Sequence, residues 1–319
     1  MNKYENKFFY YDRPKKSWFK EFIKIIFNFF DRLFYSIVFF FYNPQRKPSK
    51  YNVSICAIFK DEGYYLREWI EFHKLIGIEH FYLYNNNSKD NYLEVLEPYV
   101  NDGVVTLIDW PYKQAQLDSY LDFFKRFRYE TKWVGFIDID EFVIPKKYSC
   151  LYDFLSKFDN RPSVIIYWRM MGTSGIIDRD RNNLVVEDFI LGYKKYVDIG
   201  KVFFNTKYEY NPNSKYRNTV HIMCSKNKVF DLPAVNVFNK ICTYGINPVS
   251  KESFPVQINH YLLKSYNEYL EIKSKRGGGV HDVSMHNYEY FIRHESKCDT
   301  PDYSAYKYLI DLKLKMRKN

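Results

Sequence analysis

The chain has 319 residues, enough for one large domain or two ordinary ones. Its 46% hydrophobic and 20% aromatic residues exclude an intrinsically disordered chain, and 12 Gly with 12 Pro exclude a collagen-like or linker-like one. The net charge of +10 lies at the ends: residues 1–50 hold eleven Lys/Arg against four Asp/Glu, residues 307–319 hold five against one, and 51–306 is nearly neutral, which excludes a basic nucleic-acid-binding body.

In chain order, the first element is an amphipathic helix over 17–42. Lys20, Lys24, Asn28, Asp31 and Arg32 form one stripe, and Phe22, Ile25, Ile26, Phe29, Phe30, Leu33 and Phe34 lie opposite. The uninterrupted apolar part, 33–42, is too short for a membrane span. A basic start and an aromatic face are expected of a helix lying in the interface of an anionic membrane, with packing on the body as the other reading. No signal peptide is expected. Residues 1–50 are thus read as a membrane-associating segment, peripheral on the cytoplasmic face, ending in a linker at 43–49.

The body, 51–306, alternates. Strands are expected over 53–59, 81–84, 104–108 and 133–137, and helices over 64–76, 92–99 and 116–129. This order predicts an α/β fold with a single, mostly parallel sheet flanked by helices. Ligands of such sheets sit beyond the carboxyl ends of the strands. Polar clusters fall there: Lys60-Asp61-Glu62, residues 85–90, and Asp138-Ile139-Asp140-Glu141. Residues 307–319 are read as a basic tail. Cys56, Cys150, Cys224, Cys242 and Cys298 are odd in number and lack C-x-x-C spacing, which fits buried thiols in a reducing compartment and neither a disulfide framework nor a zinc site.

Asp138 and Asp140, two residues apart just past an apolar strand, can both face a crevice if the chain stays extended. A divalent ion with hard oxygen ligands is their natural partner, and such ions bridge to substrate phosphates.

Several segments together resemble glycosyltransferase family 92 and related bacterial family-2-like transferases. They are VSICAIFKDE (53–62), YLREWIEFH (65–73), GIEHFYLY (77–84), WVGFIDIDEFVIP (133–145), GTSG (172–175), Ile258-Asn259-His260-Tyr261 with Lys264-Ser265, and Arg276-Gly277. The resemblance covers about 53–278. It implies a GT-A-like fold and a nucleotide-sugar donor, with Mn²⁺ or Mg²⁺ held by Asp138, Asp140 and His260. It places Lys60, Asp61, Glu62, Asn86 and Asp90 near the nucleoside, and Lys264 and Arg276 at the diphosphate, with 276–279 as a lid. It further implies inversion, for which Glu187 is the base candidate, followed by His221 and Asp282. The acceptor is expected to be a glycan or a lipid-linked glycan, in surface polysaccharide synthesis. Animal members carry an N-terminal span and work in an oxidising lumen, whereas this helix is charged and the cysteine usage looks reducing.

Two rival readings exist. A haloacid-dehalogenase-type phosphatase also uses D-x-D, but it wants Thr or Val where Phe142 stands. A catalytically dead, membrane-associated interaction protein has no need to keep Asp138, Asp140 and His260.

Overall fold

The computed structural model describes residues 9–10, 18–214, 220–242, 253–276 and 286–317. The run 53–57 is apolar but for Ser54 and buried throughout, as a strand covered on both faces must be. It belongs to β1 (Tyr51–Phe59), the centre of four parallel strands. The others are β2 (His80–Asn85), β3 (Val105–Asp109) and β4 (Thr131–Phe136). The crossovers are α2 (Gly63–Leu75), α3 (Tyr92–Asn101) and α4 (Gln116–Arg126). β2 and β4 flank β1, and β3 is the edge. Every strand and helix expected upstream of Asp138 is present, with ends shifted by a few residues.

Beyond β4 the sheet turns mixed, which corrects the mostly parallel expectation. It continues through β7 (Gly200–Asn205), β6 (Ser163–Met170), β8 (Val256–His260) and β5 (Glu141–Pro145). β7 is antiparallel to both β4 and β6, and β8 is parallel to β6 but antiparallel to β5. The reason lies in the connections. Parallel neighbours are usually joined by a crossover helix, whereas the β6–β7 connection has one four-residue helix, Val185–Asp188, and the short strands Leu191–Tyr193 and Tyr196–Val197. The antiparallel pairing of β4 with β7 brings the start of β7 to the edge where β4 ends. Gly200 lets β7 approach so closely: a Cβ there would stand 1.9 Å from the Ile166 carbonyl oxygen.

The expected amphipathic helix is α1 (Trp18–Phe41). Tyr35 and Phe39 are buried in the core, while Phe27, Phe29, Phe30, Leu33, Ile37, Phe40 and Phe41 are exposed. Among the described residues, no helix is long and apolar enough to cross a membrane. The helix ends where the Pro-rich stretch begins, but that stretch is fastened: Arg46 donates to the Lys132 carbonyl (3.0 Å), Asp159 (2.6 Å) and Asn205 (2.8 Å). Near the other end, α5 (Tyr288–Glu295) is followed by α6 (Leu309–Arg317). The segment read as a tail is therefore largely helical, with Leu312 buried and the Met316 carbonyl accepting from Arg67 of α2.

Candidate active site

Asp138 follows β4 at the carboxyl edge of the parallel strands. Its carboxylate accepts from Gln116 Nε2 at the start of α4 and from Lys201 Nζ on β7, both at 2.8 Å. Lys201 also stands 3.7 Å from Glu141 Oε1, and the Asp138 amide donates to Glu141 Oε2 (3.0 Å). Burial disfavours the Lys201 charge, yet Asp138 and Glu141 outweigh it and raise its pKa, so the ammonium stays protonated. Burial pushes Glu141 well above the usual carboxylate range, against the pull of Lys201.

Asp140 sits two residues on, next to the β5–β8 ladder, where Glu141 pairs directly with His260. His260 Nε2 lies 3.5 Å from Asp140 Oδ1, and Lys273 Nζ donates to Asp140 Oδ2 at 2.7 Å. Lys273 closes a π-helical turn, Tyr269–Lys273, a local widening frequent at functional sites. Burial opposes the Asp140 charge, but Lys273, His260 and Lys264 pull its pKa well below the ordinary value. Burial lowers the His260 pKa and favours neutral imidazole. Lys264 takes a left-handed backbone conformation, φ 55°, and lays its ammonium over the Tyr65 ring, 4.1 Å from the centroid.

These residues fit a divalent ion. Asp140, Glu141 and His260 each offer a ligand atom, all within 4.8 Å of one another. Glu141 Oε1 and His260 Nδ1 are buried and lack a hydrogen bond. Carboxylate and imidazole donors suit Mn²⁺, and carboxylate suits Mg²⁺. The clustered ligand atoms are those of Asp140, Glu141 and His260, while Asp138, also expected as a ligand, faces Lys201 and Gln116.

The strand-end loops expected near the nucleoside knit together. Asp90 Oδ2 accepts from the Gly63 amide (2.6 Å), Asp61 Oδ1 from the Lys89 amide (2.7 Å), and Ser88 Oγ from the Asp61 amide (2.9 Å). Asn86 donates to the carbonyls of Trp110 (2.7 Å) and Tyr112 (2.8 Å). Asp61, Asn86 and Asp90 thus shape the loops through backbone contacts. Lys60 follows β1 at the same edge, and buried Glu62 faces Lys264 electrostatically.

Among the described residues, the ion pair of Glu187 is with Lys313 of α6 and not with the cluster. His221 does reach the cluster: its ring packs edge-on against Trp168 (4.9 Å), whose other neighbour is His260 (4.5 Å). Burial, with the Lys201 charge, drives its pKa down to about 3. The Arg276 side chain, Asp282 and most of the lid lie outside the described residues. Gln116, Lys201 and Lys273 were missed, because nothing in their local sequence sets them apart.

Beneath the site, the buried Arg179 guanidinium gathers Asp188 (2.9 Å), Glu268 (3.5 Å) and Glu68 (4.0 Å). Glu268 completes a capping box with Ser265, the residue after Lys264. Burial pushes Glu68 up to about 7, against its bonds from the Val185 and Val186 amides and the pull of Arg179.

The family model described as glycosyltransferase family 92 matches residues 49–289. A family 92 protein of Oryza sativa subsp. japonica is 32% identical over 124 residues, 39% of this chain and 21% of that protein. The galactan β-1,4-galactosyltransferase GALS3 of Arabidopsis thaliana is 33% identical over 127 residues, 35% of this chain and 25% of that one. The chain therefore spans about a quarter or less of the length of these relatives. Among solved structures, S. aureus TarS superposes with a TM-score of 0.38 and 10% identity, over 77% of this chain and 72% of that chain.

Proposed function

Because the chain belongs to glycosyltransferase family 92, we propose that it moves a sugar from a nucleotide-sugar donor to a glycan or lipid-linked acceptor, with inversion, in surface polysaccharide synthesis. The GT-A-like reading supports this, amended to a mixed sheet. The observation that carries the proposal is the edge cluster, where Asp138–Lys201 and Asp140–Glu141–His260 meet beside the loops of β1 and β2.

Asp140, Glu141 and His260 would hold Mn²⁺ or Mg²⁺. That ion would supply positive charge to the departing nucleotide diphosphate. Asp138, the more open carboxylate at 36% side-chain exposure and held by Gln116 and Lys201, would accept from the donor's hydroxyls. Lys264 and Lys273 contribute charge to the diphosphate side. His221, which reaches the cluster through Trp168, is favoured as base candidate over Glu187, which is engaged by Lys313. The aromatic face of α1 and the basic charge of residues 1–50 support peripheral attachment to the cytoplasmic face of an anionic membrane, near lipid-linked acceptors.

The test is a panel of nucleotide sugars with purified full-length protein, with and without chelator. Donor-specific transfer or hydrolysis that chelator abolishes and Mn²⁺ restores supports the reading, and no turnover or donor binding with any sugar rejects it. One observation favours a second reading: Lys273 already neutralises Asp140 at 2.7 Å. In a metal-free transferase the lysines alone would carry the diphosphate, and chelator would leave activity intact.

A further inference from the structure

We propose that the hairpin tip at residues 227–230 enters the lipid interface together with α1, so that two elements fix the orientation of the body on an anionic membrane. This rests on the peripheral-membrane reading above and adds a second contact to it. Ser225–Lys226 pairs antiparallel with Asp231–Leu232, and the tip projects between them. It is rigid: the Asn227 side chain accepts from the amides of Val229 (2.8 Å) and Phe230 (2.6 Å), and the Asn227 amide donates to the Phe230 carbonyl (2.9 Å). Yet it holds apolar side chains in solvent, with Val229 75% and Phe230 39% exposed. The Phe230 ring meets that of Phe34 on α1 edge-on, at 5.1 Å between centroids. The patch on the tip is thus continuous with the exposed face of α1.

The mount is stiff as well. Tyr35 and Phe39 are buried, and Arg161 lies over the Phe39 ring at 5.0 Å. Lys207 donates to Asn43 (2.7 Å), and Arg46 fixes the next turn of chain. Whatever the face of α1 binds, the body is held at one attitude to it.

Charge selects the occupant. The tip carries exposed Lys228, its residues 227–230 include no acid, and the neighbouring Lys226 ammonium pairs with Glu209 at 3.2 Å. The first 50 residues hold eleven basic residues against four acidic ones. A two-fold contact between copies would bring like charge against like. An anionic lipid surface accepts both the aromatic side chains and the lysines.

The experiment is co-sedimentation of full-length protein with phosphatidylcholine vesicles, with and without phosphatidylglycerol. Val229→Glu alone, Val229→Glu with Phe230→Glu, and Phe29→Glu with Phe30→Glu are compared, with near-UV circular dichroism as the check of folding. Wild type should bind the anionic vesicles, and each tip variant should lower the partition coefficient by at least about tenfold while remaining folded. Tip variants that bind as wild type, while the α1 variant is released, overturn this inference and leave the membrane reading standing. Wild type that ignores both vesicles overturns the membrane reading itself. A concentration-dependent dimer in sedimentation equilibrium that the tip variants dissolve assigns the patch to a second copy and overturns the proposal.

Discussion

The Lys201 ammonium donates to Asp138 at 2.8 Å across 63 residues of sequence, from a strand running opposite to β4, which ends at Phe136 just before Asp138. It also stands 3.7 Å from buried Glu141. Lys201→Met would leave one buried and one half-buried carboxylate without their cation. Because Asp138 keeps 36% of its side chain exposed, the cost is that of a lost charge-assisted hydrogen bond, about 1–3 kcal/mol. Urea denaturation at neutral pH should show a loss of that order, and an unchanged midpoint would remove Lys201 from the structural role assigned to it.

The cluster of Asp140, Glu141 and His260 separates the two aspartates, since Asp138 does not belong to it. Asp140→Asn and His260→Ala should weaken Mn²⁺ binding at least about tenfold, because the first removes the charge of a clustered ligand and the second removes its ligand atom. Asp138→Asn should leave Mn²⁺ affinity within a few-fold while lowering turnover. Electron paramagnetic resonance titration of free Mn²⁺ reads affinity independently of activity. Equal losses for Asp138→Asn and Asp140→Asn would restore the ligand set expected from the sequence.

His73 links pH to stability. The Val143 amide donates to His73 Nε2 (3.2 Å), so Nδ1 carries the proton and donates to the Trp69 carbonyl (2.8 Å). A second proton has no acceptor there, and burial drives the pKa to about 3. Below about pH 6.5 the unfolded chain binds the proton that the folded one refuses, so stability falls as pH falls toward 3. Glu68, pushed up to about 7, works the other way between about pH 7 and 4.5, so the comparison must be with a variant. Relative to His73→Gln, wild type should lose about 1.4 kcal/mol per pH unit between about pH 6 and 4. Parallel stability curves for the two would contradict the fixed neutral tautomer.

Gly200 is the hinge of the antiparallel half. Gly200→Ala would drive a methyl to within 1.9 Å of the Ile166 carbonyl oxygen, a backbone atom with no rotamer to escape into. The strand must shift, and Lys201 shifts with it. A fall in melting temperature of several degrees should accompany weaker donor binding. A variant as stable and active as wild type would show that β7 and β6 are farther apart than described.

The parallel half was legible because each of its elements announces itself locally. The apolar run 53–57 and the helical spacing of Leu66 and Ile70 are patterns within a dozen residues. Asp138 and Asp140 stood out for the same reason, as polar residues at the end of a buried strand. The mixed half was not legible: β6 and β7 are just as apolar, but their directions depend on loops without helices. Glu141 was seen only as a neighbour of the aspartates, since its direct pairing with His260 is a register fact. Lys201, Lys273 and Gln116 read as ordinary polar residues until the fold carries them to the edge. Glu187 shows the reverse: a base candidate in the sequence, it has its ion pair with Lys313 of α6.

The Asp140–Lys273 pair closes a loop of 133 residues, and Asp138–Lys201 closes one of 63. Neither contact offsets its loop-closure entropy until both halves of the sheet have met. A site that needs both pairs is therefore complete only once the two halves of the sheet have met. In refolding from urea, far-ultraviolet circular dichroism should recover first and nucleotide binding last, with binding tracking the slowest phase.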